Sequence, residues 1–213
     1  MSKKDRRRQD ILVRKRAKRK AAKSKKQASA KKTGTTFLES RIKIAARSPL
    51  HDCLVSSSLS ETGIGNIIVS RMMPTDHIAV GVFLLDIYCL GVKESFYTIV
   101  EPQEYTRLLQ KMKSEGIVEN IHPSCARKLI EGGVLYAERL GFKPHGDYKV
   151  AKKIFGDIDP EDCPRTFEYG YNGKPYYVSG PYDTRQKSES ILKTLSERCG
   201  PNGFHYTVKT EAL

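Results

Sequence analysis

The segment HIAVGVFLLDIY (residues 77–88) is the most apolar stretch of the chain and indicates its fold class. A continuous apolar run of this length is typical of a central strand that is covered on both faces. Residues 53–59, 66–72 and 96–100 are shorter strand-like runs on either side of it, and Met73-Pro74-Thr75-Asp76 is a turn signal. The sequence therefore predicts a sheet built around residues 77–88.

Helical patterns follow the strands. Pro102 begins a predicted helix that ends at Gly116, and a second helix is predicted from Ser124 to Leu140. The second helix contains Gly132-Gly133, which costs helix stability and so predicts a close approach by a neighbouring segment. Shorter helices are expected over residues 147–155 and from a capping box at Asp183 through Arg198.

A hairpin and a closing strand complete the pattern. Asn172-Gly173 is the strongest local hairpin signal and joins residues 167–171 to residues 175–178, while residues 204–209 read as a last strand. Strands, then helices, then a hairpin predict an α+β fold with a mainly antiparallel sheet and three to four packed helices. We expect residues 37–213 to form one such domain.

The first 36 residues carry all of the net charge. They contain 16 Lys or Arg against two acids, whereas the other 177 residues carry 22 basic and 22 acidic side chains. Such a segment has too few apolar residues to offset the entropy of ordering, so it is predicted to be disordered alone and conditionally helical on a polyanion. Residues 1–36 are therefore a basic arm and residues 37–213 an electrically neutral body.

The basic arm favours nucleic acid as its partner. Lys and Arg neutralise phosphates and release counterions, and the arm has no aromatic residue for stacking on bases, so binding should be insensitive to sequence. RNA or the ribosome is preferred over DNA on compositional likeness to the extensions of ribosomal proteins. A membrane surface is disfavoured, because Ile11-Leu12-Val13 is the only apolar cluster in the arm. The remaining alternative is a solubilising tail or, in a nucleated cell, an import signal. The predicted nucleic-acid-binding residues are Arg6, Arg7, Arg8, Arg14, Lys15, Arg16, Lys18, Arg19, Lys20, Lys23, Lys25 and Lys26.

The cysteines and the apolar runs indicate a cytoplasmic protein. The five cysteines are an odd number without a CxxC pair, which argues against a disulfide scaffold and for a reducing compartment. No segment reaches the about 18–20 apolar residues that span a bilayer, and no apolar segment follows the charged start as in a signal peptide.

Asp86 is the sharpest chemical anomaly. A carboxylate at the end of a buried strand must find a hydrogen bond, a cation or a metal, or hold a proton. It is therefore a candidate general base or metal ligand, with a loop cap as the alternative. Cys89 follows close by and is a candidate nucleophile if Lys93 lowers its pKa, with inert packing as the alternative. Cys125, three residues after His122, is a weaker candidate of the same kind.

Four further residues complete a candidate metal site. His145 and Asp147 straddle Gly146, and Asp157 and Asp159 alternate in a Gly-Asp-Ile-Asp-Pro segment. Together with Asp86 they offer the oxygen-rich set that Mg²⁺ or Mn²⁺ prefers, and such a site would serve phosphoryl transfer or nuclease chemistry. Helix capping and turn formation are the alternatives. No established nucleotide or hydrolase motif supports the enzyme hypothesis.

Five tyrosines crowd the predicted hairpin and the loop after it. Tyrosines at such a place either grip a protein partner or stack on bases, or they are half-buried strand residues. An interaction module that uses them requires an exposed aromatic patch. The five are Tyr169, Tyr171, Tyr176, Tyr177 and Tyr182.

Three segments resemble an uncharacterised bacterial family of hypothetical proteins. They are LLDIYCLGVKESF (84–96), YAERLGFKPHGDYKVAKKIFGDID (136–159) and FEYGYNGKPYYVSGPYDT (167–184). The resemblance covers residues about 50–185 and leaves out the basic arm. It implies a bacterial, cytoplasmic protein with one integral domain, and it transfers no activity, cofactor or site residue.

Overall fold

The computed structural model describes residues 40–116 and 118–208. The chain divides into two units, residues 1–43 and residues 44–213. The predictions made for the basic arm, including its twelve phosphate-binding residues, lie outside the described residues. Within the described ranges, no helix is both long enough and apolar enough to pass through a lipid bilayer.

The fold is α+β, as predicted, with three consecutive strands, β2 to β4, near the start of the described chain and most of the helices after them. A helix, α1, covers residues 40–47. The others are β1 (Leu50–Ser56), α2 (Ser58–Thr62), β2 (Ile64–Met72), β3 (Ile78–Asp86), β4 (Gly91–Val100), α3 (Pro102–Glu115), β5 (Val118–Asn120), α4 (Pro123–Arg139), α5 (Tyr148–Ala151), β6 (Tyr176–Val178), α6 (Arg185–Cys199) and β7 (His205–Thr207). Short 3-10 helices cover Lys152–Phe155 and Pro160–Asp162.

The main sheet has five antiparallel strands in the order β4-β3-β2-β1-β5. Strand β3 pairs along its whole length with both β2 and β4. Leu84 lies opposite Glu94 and Leu85 opposite Val92, so Lys93 is an extra residue in β4 and forms a bulge. The central position predicted for residues 77–88 is confirmed, whereas the three-residue strand β5 was not predicted.

Helices cover both faces of the sheet, and the side chains of β3 point alternately to one face and the other. Ala79, Phe83 and Leu85 pack with residues of α4, α5 and the first 3-10 helix. Val80 and Val82 point to the opposite face and pack with residues of α3. The continuous apolar run thus fills two cores, as a strand covered on both faces requires.

The glycine pair inside α4 is explained by close packing. A methyl group at Gly132 would overlap the phenol ring of Tyr169, whose hydroxyl donates a hydrogen bond to the Leu129 carbonyl at 3.1 Å. A methyl group at Gly133 would press on the Leu85 side chain. The predicted close approach at these glycines is confirmed, and the approaching group at Gly132 is an aromatic side chain.

Arg71 joins three segments of the fold from within strand β2. Its side chain is buried, and its guanidinium donates to the carbonyls of Ser48, Ile154 and Phe155, each at 2.7 Å. Burial lowers the pKa of Arg71, and the carboxylate of Asp157 opposes that shift. The guanidinium remains charged, because the pKa of arginine starts so far above neutrality. One side chain thereby donates to three carbonyls, of which that of Phe155 also accepts from the Ile158 N–H at 3.1 Å.

The predicted hairpin is wrong beyond its turn. Asn172 and Gly173 both have positive φ, as a type I′ turn requires, and Tyr171 and Lys174 exchange backbone hydrogen bonds across it. The pairing stops at that single bridge. Strand β6 instead pairs in parallel with β7, so residues 176–178 and 205–207 form a second sheet of two strands.

The predicted capping box of α6 is displaced by one residue. Thr184 is the N-cap, and its hydroxyl oxygen accepts a hydrogen bond from the Lys187 N–H at 3.3 Å. Asp183 instead accepts hydrogen bonds from the Gly180 N–H and from the Tyr177 hydroxyl. The carboxylate therefore secures the loop before the helix, and its other oxygen forms a salt bridge with the Lys187 ammonium of α6 at 2.7 Å.

The cysteine prediction is also corrected. Cys125 in the first turn of α4 and Cys163 form a disulfide, so Cys125 is not a nucleophile with His122 as its base. The bond ties the loop after the second 3-10 helix to α4, and the Lys128 ammonium donates to the Cys163 carbonyl at 3.1 Å. The odd count and missing CxxC motif did not exclude a disulfide, because its partners are 38 residues apart.

Replacing Arg71 with Met is expected to lower the free energy of unfolding by about 3 kcal/mol or more, because three buried carbonyls each lose a hydrogen bond from the guanidinium. Arg107→Met, at an exposed position on α3, is the matched control and is expected to change it by less than about 0.5 kcal/mol. Chemical denaturation measures both. Equal effects of the two substitutions would contradict the role assigned to Arg71.

The double variant Cys125→Ala/Cys163→Ala is expected to lose about 3–4 kcal/mol of stability, because the bond closes a 38-residue segment and restricts the unfolded chain. Cys199→Ala is the control. Thiol alkylation in denaturant provides a direct check, with three modified cysteines expected before reduction and five after it. Five modified thiols before reduction would show that the bond is absent.

Candidate functional site

Asp86 terminates β3 and secures the turn that follows it. Its Oδ1 accepts hydrogen bonds from the N–H groups of Tyr88 and Cys89, both at 2.9 Å. The residue is only 1% exposed, and its Oδ2 has no hydrogen-bond partner among the residues that the structure describes. This geometry is that of a loop cap, the alternative weighed against a catalytic role.

Burial raises the pKa of Asp86 from 3.8 to about 6, while Lys93 and the N–H groups of the turn oppose the rise. A pKa in this range suits a general base at neutral pH. A base must also reach a substrate, and the side chain is buried away from solvent. The shifted pKa of Asp86 is accounted for by its position in the core.

Cys89 is packed as an inert thiol. It is fully buried and belongs to an apolar cluster with Leu90, Leu140 and Tyr177. Burial raises the pKa of the Cys89 thiol far above its usual range, and Lys93 only partly opposes this. The prediction that Lys93 lowers the pKa of Cys89 is therefore wrong for the net shift. Desolvation of the buried thiol outweighs the effect of the nearby ammonium group.

The remaining candidates of the metal site make separate local contacts, and the Asp147 side chain does not cap α5. The ring Nδ1 of His145 accepts a hydrogen bond from the Asp147 N–H at 3.3 Å, and Asp147 precedes α5. Asp159 accepts from the Glu161 N–H and caps the second 3-10 helix. Asp157 is 94% exposed and lies 3.7 Å from Arg71.

These side chains do not come together. Among the described residues, no group of three or more His, Cys, Asp or Glu side chains is arranged to hold a metal ion. The metal hypothesis required Asp86, His145, Asp147, Asp157 and Asp159 to converge, so the geometry does not supply the Mg²⁺ or Mn²⁺ site that it proposed. In this chain, His145 and Asp159 instead accept hydrogen bonds from backbone N–H groups two residues further on, as is common in turns.

The tyrosines divide between core and surface. Tyr177 is fully buried, Tyr169 and Tyr176 are half-buried, and Tyr171 and Tyr182 are exposed. Tyr88, Tyr171 and Tyr176 form a cluster of ring contacts with centroids 5.4–6.2 Å apart, and His205 of β7 adds a further contact to Tyr176 at 6.4 Å. This cluster thus contains only two of the five predicted tyrosines, Tyr171 and Tyr176. Its other two rings, Tyr88 and His205, were not predicted.

A cavity of about 210 Å³ lies at the β1–β5 edge of the main sheet. Its apolar lining consists of Val55, Leu59, Ile87, Ile121, Leu129 and Phe167. Its polar lining consists of Ser56, Ser57, Ser60, Glu119 and Arg165. The Arg165 guanidinium lies over the Phe167 ring, 5.4 Å from its centroid, which is a cation–π arrangement.

Sequence reasoning missed this cavity because its lining comes from separate segments. No two of Ser56, Glu119 and Arg165 are within 40 residues of each other, and none stands in a recognisable motif. The unpredicted strand β5 contributes Glu119. A pattern that appears only after folding leaves no local signal in the chain.

Comparisons with known proteins add no assignment to this geometry. No protein-family model matches the chain, and no match was found among curated proteins or solved structures. The function is therefore argued from the charge distribution and from the contacts described above.

The stability of the protein is expected to fall as the pH rises from about 4 to about 6, as far as Asp86 contributes. The pKa of Asp86 is about 6 in the folded state and 3.8 without the fold, so the folded state binds the proton more tightly across this window. Asp86→Asn keeps an acceptor for the turn and cannot ionise, so it should remove this contribution. Denaturation at several pH values measures the difference between the two proteins.

The control for this experiment is Asp147→Asn, which alters an exposed carboxylate near α5. It should leave the pH dependence of the unfolding free energy close to that of the unmodified protein. Parallel curves for Asp86→Asn and the unmodified protein between pH 4 and 6 would contradict the raised pKa of Asp86.

Proposed function

We propose that the protein binds nucleic acid, RNA or the ribosome in preference to DNA, through the basic arm of residues 1–36. The supporting observation is the charge distribution, since the full excess of 14 positive charges lies in this arm and the other residues balance to zero. The arm attracts polyanions and the body does not. The protein is thus tethered electrostatically, with its folded body carried on the nucleic acid.

The energy of this association comes from counterion release. Each phosphate neutralised by Lys or Arg frees condensed counterions, so affinity falls steeply with salt. Without aromatic residues the arm offers no stacking, and its contacts position the protein without reading sequence. Binding is therefore strong at low salt and indifferent to base sequence.

The proposal places the protein in the bacterial cytoplasm. The Cys125–Cys163 disulfide bears against that location, because reducing compartments keep most thiols reduced. Alkylation of thiols at the moment of cell lysis distinguishes the two cases. A reduced pair supports the cytoplasm, and an oxidised pair supports an oxidising compartment.

A second candidate function is binding of a protein partner at the aromatic cluster of Tyr88, Tyr171, Tyr176 and His205. The favouring observation is that Tyr171 remains 44% exposed while in ring contact with two other tyrosines. Tyr171→Ser would weaken a protein complex and leave RNA affinity unchanged. If RNA affinity falls instead, the cluster stacks on bases.

With about six to ten phosphates engaged, affinity for a single-stranded RNA is expected to fall about 300- to 15,000-fold between about 50 and 200 mM salt, at about 0.7 counterions released per contact. Filter binding or fluorescence anisotropy measures the dependence. A salt response that is flat, or no binding even at low salt, would remove the proposal.

A charge-matched pair of variants locates the binding surface in the full-length chain. Changing Arg14, Lys15, Arg16, Lys18, Arg19 and Lys20 to Gln should reduce the salt slope by about four, since single strands release about 0.7 counterions per contact. The control changes Arg107, Lys111, Lys113, Lys143, Lys149 and Lys153, which are exposed on the body. It removes equal charge and should have a much smaller effect on the slope.

A further inference from the structure

The cavity at the β1–β5 edge combines an apolar interior with two opposite charges. Its aliphatic and aromatic lining favours an apolar group, and Arg165 and Glu119, which carry opposite charges, line the same space. Small-molecule sites have this composition, in which an apolar wall carries a few polar groups that fix orientation. The cavity therefore has the chemical makeup of a ligand site.

The two charges are available to a ligand. Within the described part of the chain, neither Arg165 nor Glu119 forms a salt bridge within 4.0 Å, with each other or with another side chain. A purely anionic ligand would meet repulsion from Glu119, and a purely cationic one would meet repulsion from Arg165. A ligand with both charges satisfies both groups.

The wall that carries Arg165 is held in place before any ligand binds. Cys163, two residues earlier, is bonded to Cys125 of α4, and its carbonyl accepts a hydrogen bond from Lys128. The Phe167 ring lies under the guanidinium. Fixed polar groups lose less entropy on binding, so a small ligand gains affinity from this arrangement.

The volume limits the ligand to a small molecule. The cavity of about 210 Å³ corresponds to about seven water molecules in the liquid. That space suits a molecule the size of leucine and is below the about 300 Å³ at which sites for drug-sized ligands begin.

We propose that this cavity binds a free aliphatic amino acid as its zwitterion. Arg165 and the serine hydroxyls bind the carboxylate, Glu119 binds the ammonium group, and the side chain contacts Ile87, Leu129 and Phe167. The lining residues named for this cavity all lie between Val55 and Phe167, in the body of the protein.

The test is a calorimetric titration of the full-length protein with L-leucine, followed by L-isoleucine and L-valine. Saturable binding is expected, with affinity at least about tenfold weaker for 4-methylpentanoate, which lacks the ammonium group, and for 3-methylbutylamine, which lacks the carboxylate. Glycine, which lacks the apolar side chain, should also bind more weakly. No binding of any of the three aliphatic amino acids up to about 10 mM would overturn the proposal.

Two variants separate a binding role from a structural one. Glu119 and Arg165 are both exposed, so Glu119→Gln and Arg165→Gln should fold normally. Both should weaken leucine binding about tenfold or more, but Glu119→Gln should improve binding of 4-methylpentanoate and Arg165→Gln that of 3-methylbutylamine, because each removes one repulsion. Equal affinity of the unmodified protein for leucine and 4-methylpentanoate, or unchanged analogue selectivity in both variants, would overturn the assignment of the charges.

Discussion

The fold depends on one constraint, which is that the five-stranded sheet must bury both of its faces. Strand β3 meets it with alternate side chains, Phe83 towards α4 and α5 and Val82 towards α3. Once both faces are covered, water reaches the sheet only at its edges and at the ends of its strands. The cavity lies at such an edge, beside β1 and β5, whereas Asp86 ends β3 but is buried.

Burial also decides what a polar group does. Asp86 and Arg71 are both ionisable and both buried, and each is held by backbone groups, the first by N–H donors and the second by carbonyl acceptors. Their hydrogen bonds stabilise a turn and a junction of segments. Arg165 is exposed beside a cavity and has no ion-pair partner in the described chain, so its charge remains available.

The sequence predicted those parts of the fold that depend on local periodicity. Strands β2 and β3 and helices α3 and α4 were placed within a few residues, because their patterns extend over a full strand or about four to five helical turns. Pairings between distant segments were missed. Tyr176 pairs with His205, and Cys125 is bonded to Cys163. In each pair, the sequence around one residue contains no pattern that indicates the other. The cavity was not predicted from the sequence for the same reason. One of its lining residues, Glu119, lies on a three-residue strand that is too short to show a periodic pattern.

The two proposed activities differ in how they depend on charge. Attraction of the basic arm to a polyanion acts over about a Debye length and weakens with salt, whereas the cavity acts at contact distance. A zwitterion carries no net charge, so its binding leaves the body as neutral as before and does not change the long-range attraction. Any effect of an amino acid on nucleic-acid affinity would then require a change in the structure of the body. The electrostatics alone thus make the two sites independent, and coupling between them would identify a conformational link.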